Sequence, residues 1–233
     1  MEKYSPKRHI AVIENCIMSE NGLKYLFLES GPDNYQFHFF KDYGAFKEVI
    51  TGTPFRTVIF SMSGMRIQRI NCLKNLHELA CAYPQLQRLV LADNDKEAHL
   101  MSLLSPSHHH GVISKLLPLG QLHEQLLTLI HQDPHSAQYL MGREEPGQHH
   151  GLSPTEWEVL HYMTYGLSVV EIAHHLARNV KTVRAHKFNA MVKLGVHSDA
   201  GLLHAADILM NSCTHRVQLK RHDPYSGCCN LPA

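Results

Sequence analysis

Between Arg178 and Ser198 the chain carries five cations, Arg178, Lys181, Arg184, Lys187 and Lys193, and no aspartate or glutamate. Ammonium and guanidinium groups donate to phosphate oxygens, and a guanidinium also matches the two acceptors on a guanine edge. Thr182 and His186, interleaved among them, offer weaker polar contacts. The chemistry of such a run is nucleic-acid recognition. The bland alternative is a solvated basic face, and on an isolated helix it would be the better reading. The surrounding segment, 151–212, holds five basic and five acidic residues, so its neutrality conceals segregation onto one stretch. A formal net charge of +1 over 233 residues excludes a uniformly basic coat but not a local patch.

The elements that hold these cations are sharply marked. Ser153-Pro154-Thr155-Glu156 is a capping box with proline at the first helical position, flanked by Leu152 and Trp157 as a hydrophobic staple. That helix runs to Tyr165 and stops at Gly166. Ser168-Val169-Val170-Glu171 is a second capping box, stapled by Leu167 and Ile172, with an apolar stripe of Val169, Ile172, Ala173 and Leu176. Asn179 caps a third helix that ends at Gly195, and Ser198 caps a fourth. Four helices in about 60 residues, with a short turn between the second and third, predict a helix-turn-helix bundle. In that arrangement the start of the second helix of the motif enters the major groove. Val180, Val183, Met191 and Leu194 face the bundle, and Lys181, Arg184, Ala185 and Lys187 face outward.

The first 130 residues alternate short apolar runs with helical spacing. Ile10 to Ile13, Tyr35 to Phe40, Thr57 to Phe60, Leu89 to Leu91 and Gly111 to Ser114 read as strands. Five strands separated by helices predict a doubly wound, five-stranded parallel α/β sheet. The weakest helix lies between Lys96 and His110, cut short by Ser105-Pro106-Ser107. Residues 131–151, rich in Pro, Gly, Gln and charge, read as a linker with room for a helical turn from Ser136 to Met141. Residues 152–213 form the bundle, and 214–233 a loose tail. No apolar run approaches the roughly 20 residues that span a bilayer, and the start lacks a signal core, so the expectation is a soluble cytoplasmic protein with no membrane partner.

Other chemistry finds little support. Six cysteines show no CxxC spacing and read as reduced thiols, with Cys228-Cys229 incidental. Twenty histidines include the runs 108–110, 149–150 and 174–175. The first two fall in predicted loops, and neighbours on a helix point about 100° apart, so solvated side chains are the better explanation and no metal is expected. No Walker loop, nucleophile elbow or HExxH appears, so no enzyme and no cofactor is expected. Tyr25, Phe37, Phe39 and Phe40 suit a core or sheet edge. Gly64-Met65-Arg66 with Arg69 reads as a basic exposed patch, a partner contact or a solvated helix start.

The ordered set Leu152-Ser153-Pro154-Thr155-Glu156, Gly166-Leu167-Ser168, Glu171-Ile172-Ala173, Lys181 to Lys187 and Lys193-Leu194-Gly195-Val196 resembles the LuxR-type DNA-binding domain. The first 130 residues resemble a response-regulator receiver. Such a receiver uses an acidic pair for Mg²⁺, an aspartate nucleophile, a hydroxyl residue and a lysine. The matching positions here are Glu14-Asn15, Ser61, Ala92 and Lys115. A neutral serine cannot replace the aspartate that attacks phosphorus and ligates metal, and one Glu with one Asn is a poor Mg²⁺ set. The phosphoacceptor site therefore reads as degenerate, with Lys115 free to pair with Glu14, and Asp93 and Asp95 as solvated loop carboxylates.

The resemblance implies a bacterial transcription regulator, an activator that binds promoter DNA as a heterodimer with an RcsB-like response regulator, independently of phosphate on its own receiver. Lys181, Thr182, Arg184, His186 and Lys187 are the expected DNA contacts. Leu202, Leu203, Ala206 and Leu209 on the fourth helix form a candidate dimer face, unless they close the bundle core. A homodimer is also possible in principle. Rival readings are a phosphorylation- or metal-responsive homodimeric regulator, or an interaction-only subunit that does not touch DNA.

Overall fold

A computed structural model of the chain describes residues 7–30, 34–62, 65–105, 108–132 and 151–212. The segment expected to be the linker lies almost wholly outside the described residues, as do the tail with Cys228-Cys229 and the pair His149-His150.

The sheet contains β1 (Arg8–Ile13), β2 (Tyr35–Phe40), β3 (Phe55–Ser61), β4 (Gln87–Ala92) and β5 (Gly111–Ser114), ordered β2-β1-β3-β4-β5 and parallel throughout. The helices between them are α1 (Ile17–Ser30), α2 (Tyr43–Val49), α3 (Arg66–Ala82), α4 (Asp95–Leu104) and α5 (Leu119–His131). This is the doubly wound arrangement expected from the alternation. Every residue of β4 is buried, as a central parallel strand covered on both faces requires. Alternate strand residues feed two cores. Ile10, Val12, Ile59, Leu89 and Leu91 pack with α1 and α5, and Ala11, Val58, Phe60 and Val90 pack on the α3 side. The helix expected to be weakest forms, because Asn94 caps it by accepting from the Glu97 N–H at 3.0 Å.

The second unit contains α6 (Pro154–Thr164), α7 (Val169–His175), α8 (Val180–Lys193) and α9 (Asp199–Ser212). Both capping boxes form. Ser153 and Ser168 accept from the N–H groups of Glu156 and Glu171, whose carboxylates accept in return from the serine N–H groups, each at 2.7 Å. Gly166 and Gly195 take φ of +83° and +64°, the left-handed conformation that stops α6 and α8. No helix among the described residues is long and apolar enough to cross a membrane.

The two units share one hydrophobic cluster. Leu73, Leu76, Leu100, Met101 and Leu104 of the sheet domain belong to the same buried set as Trp157, Leu160, Leu202, Ala206 and Leu209 of the bundle. A polar lock surrounds it. Arg66 donates from Nε and Nη2 to the Asp207 carboxylate, both at 2.8 Å, and from Nη2 to the Thr164 carbonyl at 2.8 Å. Deeper in the same interface, Glu97 meets His204 at 3.2 Å and Arg69 at 3.8 Å and accepts from the Asp93 N–H at 2.8 Å. Arg66 is thus neither a free basic patch nor a solvated helix start; its partner is the chain's own α9.

That docking corrects the candidate dimer face. Leu202 and Ala206 are fully buried and Leu209 nearly so, leaving Leu203 partly open. The apolar stripe of α9 closes the bundle and joins it to α3 and α4, because that burial removes more apolar surface from water than exposure on a lone bundle would.

The histidines at 108–110 also depart from expectation. His108 and His109 are buried, not solvated. His108 meets His77 at 2.9 Å and Ser105 at 3.2 Å, and burial, with the charges of His77, His109 and Arg88 behind it, holds its pKa down at about 4. Burial does the same to His109, also to about 4. The loop is held by Arg88, which donates to the carbonyls of His108 and Leu86, and burial lowers the Arg88 pKa to about 10.

Candidate nucleic-acid interface

The helix-turn-helix is formed by α7 and α8. Its turn is tight because Ala177 adopts φ of +48°, a left-handed conformation that costs a residue with a Cβ about 1–2 kcal/mol. The Arg178 N–H donates to the Ala173 carbonyl at 2.9 Å and closes the turn. Asn179 then caps α8 by accepting from the Lys181 N–H at 2.8 Å. Val159, Ile172, Ala173 and Val183 form the small core that fixes α7 against α8.

At about 100° per residue, Lys181, Arg184, Ala185, Phe188 and Val192 share an arc of about 100° on α8. The buried Val183, Ala190 and Leu194 lie roughly opposite. All five members of the outer arc are exposed, and no carboxylate among the described residues pairs with Lys181 or Arg184. The expected DNA contacts therefore separate. Lys181 lies near the centre of the outer face and Arg184 at its edge, on the side of Lys187. Thr182 and His186 lie on one flank, Thr182 exposed and His186 partly buried. Lys187 lies on the other, with 16% of its side chain accessible, and donates to Asp199 at 2.6 Å. Lys187 is paired across the bundle surface with the exposed Asp199 at the start of α9, a correction to its expected free outward direction. Helical spacing alone puts it outward, but it sits next to the buried arc and Asp199 captures it.

Lys193 donates to Glu156 at 2.7 Å and ties α8 to the capping box of α6. Burial pushes the Glu156 carboxyl up, but the Lys193 ammonium and the Ser153 backbone together outweigh it and leave it below the ordinary value. Two of the five cations in the run therefore brace the bundle, leaving Arg178, Lys181 and Arg184 for a ligand. Phe188 and Val192 were missed in the sequence. A helical wheel anchored on Val183 and Leu194 is the signal that would have found them.

At the carboxyl end of the sheet, the pocket expected to be a degenerate phosphoacceptor site is internally satisfied. The Ser61 hydroxyl donates to Glu14 Oε2, and Glu14 Oε1 accepts from the Cys16 N–H at 2.8 Å, with Glu14 itself 3% exposed. Lys115 donates to the Met62 carbonyl at 2.6 Å and to Asp93 at 2.9 Å, while Glu14 stands off at 3.8 Å. Lys115 thus pairs with the Glu14 expected from sequence at the longer distance and with Asp93 at the shorter one, so Asp93 is not a merely solvated carboxylate. Ala92 adds no hydroxyl, and Asn15 is exposed. Every cationic and anionic group that would meet a phosphoryl oxygen or Mg²⁺ already has a partner. No group of three or more His, Cys, Asp or Glu among the described residues could hold a metal ion.

Residues 150–206 match the family described as bacterial regulatory proteins, luxR family. The chain is 44% identical over 204 residues to the transcriptional activator protein BglJ of Escherichia coli K12, an alignment covering 88% of this chain and 91% of that protein. This chain belongs to the luxR family of bacterial regulatory proteins. Over 52 residues, 22% of the chain and 24% of the relative, it is 50% identical to the transcriptional regulatory protein RcsB of Escherichia coli K12. The fold matches RcsB in a complex with DNA at a TM-score of 0.64 and 24% identity, covering 87% of this chain and 99% of that one. It also matches a structure of two RcsB dimers bound to two parallel DNAs, at 0.63 and 25%, covering 89% and 100%. The receiver-like domain and the LuxR-type bundle are thus a shared architecture, and the chain is a regulator of transcription.

Proposed function

We propose that this protein activates bacterial promoters as the DNA-reading partner in a heterodimer with an RcsB-like response regulator, without phosphorylation of its own receiver-like domain. The observation that carries the reading is the outer face of α8, where Lys181 and Arg184 are exposed and have no carboxylate partner among the described residues. The likeness to BglJ over most of both chains supports activation, and the RcsB–DNA architecture supports docking on a duplex. A single small bundle makes few contacts, and pairing on adjacent half-sites raises affinity through effective concentration. Since α9 is occupied by the sheet domain, that pairing uses other surfaces. The filled pocket around Glu14, Asn15, Ser61, Ala92 and Lys115 supports independence from phosphate.

The test takes the full chain, an RcsB-like regulator from the same host and a promoter found by footprinting. Lys181→Ala and Arg184→Ala each bind DNA more weakly with the heterodimer retained on a sizing column, and each lost phosphate contact lowers the salt slope by about 0.9. Retained binding in both variants refutes DNA reading by α8. Absence of a heterodimer refutes the partner. An acid-labile phosphoryl adduct on the wild-type chain, seen by intact mass after incubation with Mg²⁺ and acetyl phosphate, refutes phosphate independence.

A further inference from the structure

The outer face of α8 is not wholly cationic. Phe188 and Val192, 64% and 63% exposed, lie on the same arc as Lys181 and Arg184, with exposed Ala185 between them. None of the three belongs to a core cluster of either domain. Singly exposed apolar side chains are ordinary, but Phe188, Val192 and Ala185 are neighbours on one face and make a contiguous apolar patch beside the two cations.

We infer that Phe188, flanked by Ala185 and Val192, reads thymine 5-methyl groups in the major groove. This rests on the DNA-reading function proposed above and adds a specificity-determining residue to it. The cations decide what the ring meets. An apolar protein surface seated on Phe188 would also cover Arg184, one turn earlier on α8, and Lys181, and would strip both of water without supplying counter-charge. A major groove supplies both needs at once, with phosphates and guanine acceptors for the cations and methyl groups on the floor for the ring. Phe188 lies four residues beyond Arg184, about 6 Å along the helix axis. With a rise of about 3.4 Å per base pair, the thymine read by Phe188 sits about two base pairs from the base or phosphate met by Arg184.

The experiment replaces single thymines by uracils in a duplex that the full chain, with its partner regulator present, has selected from a random pool. Uracil keeps every hydrogen-bonding group and removes only the methyl. One or two uracil positions weaken wild-type binding about fourfold each, the effect of losing one buried carbon. Phe188→Ala binds the all-thymine duplex about tenfold more weakly and is indifferent to uracil at those positions. Arg184→Ala also binds more weakly but keeps the uracil sensitivity. Phe188 is exposed, so Phe188→Ala retains the wild-type melting temperature. If no uracil weakens the wild-type complex, or if Phe188→Ala loses as much on uracil substitution as the wild type, the thymine assignment is wrong while DNA binding stands. If no duplex is selected at all, the DNA-reading function itself falls.

Discussion

Replacing Arg66 with Ala severs the polar lock between the two domains. It removes two hydrogen bonds to the Asp207 carboxylate and one to the Thr164 carbonyl, all at 2.8 Å, and leaves Asp207 with 2% exposure and no cation. Breaking a fully buried pair in this way costs about 3–5 kcal/mol. Arg66 keeps 37% of its side chain in water. Solvent screens the interaction accordingly, and the expected loss falls to about 2–3 kcal/mol. A chain of this size loses about 2–4 °C of melting temperature per kcal/mol, so Arg66→Ala melts about 4–12 °C below the wild type. Circular dichroism or calorimetry measures this directly. Because one hydrophobic cluster crosses the boundary, the wild type unfolds in one transition. The double variant Arg66→Met with Asp207→Leu regains most of the loss, since two apolar groups leave no charge unpaired. A drop of less than about 2 °C for Arg66→Ala, or a double variant as unstable as the single one, refutes the reasoning.

Acidification separates two further contributions. His108 and His109 stay neutral in the folded chain down to about pH 4, whereas the unfolded chain takes up those protons near 6.5. Their contribution is complete above about pH 6.5 and is lost as the pH falls towards 4, so melting temperature declines over that window and His109→Gln reduces the slope. An unchanged slope refutes the assignment. Ala177→Gly relieves the left-handed turn and raises stability by up to about 1 kcal/mol in chemical denaturation, whereas Ala177→Val lowers it. Lys187→Ala weakens promoter binding much less than Arg184→Ala does and lowers the melting temperature slightly, because its partner is Asp199; equal losses of binding would show that Lys187 leaves Asp199 to reach DNA.

Local signals in the sequence were sufficient for the elements. The two S-x-x-E boxes, the glycines at 166 and 195 and the apolar alternation of the sheet strands each act within a few residues, so the parallel sheet, the four-helix bundle and the outward direction of Lys181 and Arg184 are legible without coordinates. The expectation of a degenerate phosphoacceptor site likewise rests on residue type, at Ser61 and Ala92.

What needed the tertiary structure was every choice between partners distant in sequence. Lys115 takes Asp93 in addition to Glu14, Lys187 turns to Asp199, and Arg66 reaches Asp207 across 141 positions. The apolar stripe of α9 is buried at the domain junction, and His108 and His109 enter the interior. A helical pattern states which face is apolar but not what will cover it. That is decided by which surfaces the packed domains bring together, and by the cost of leaving a buried charge or donor without a partner.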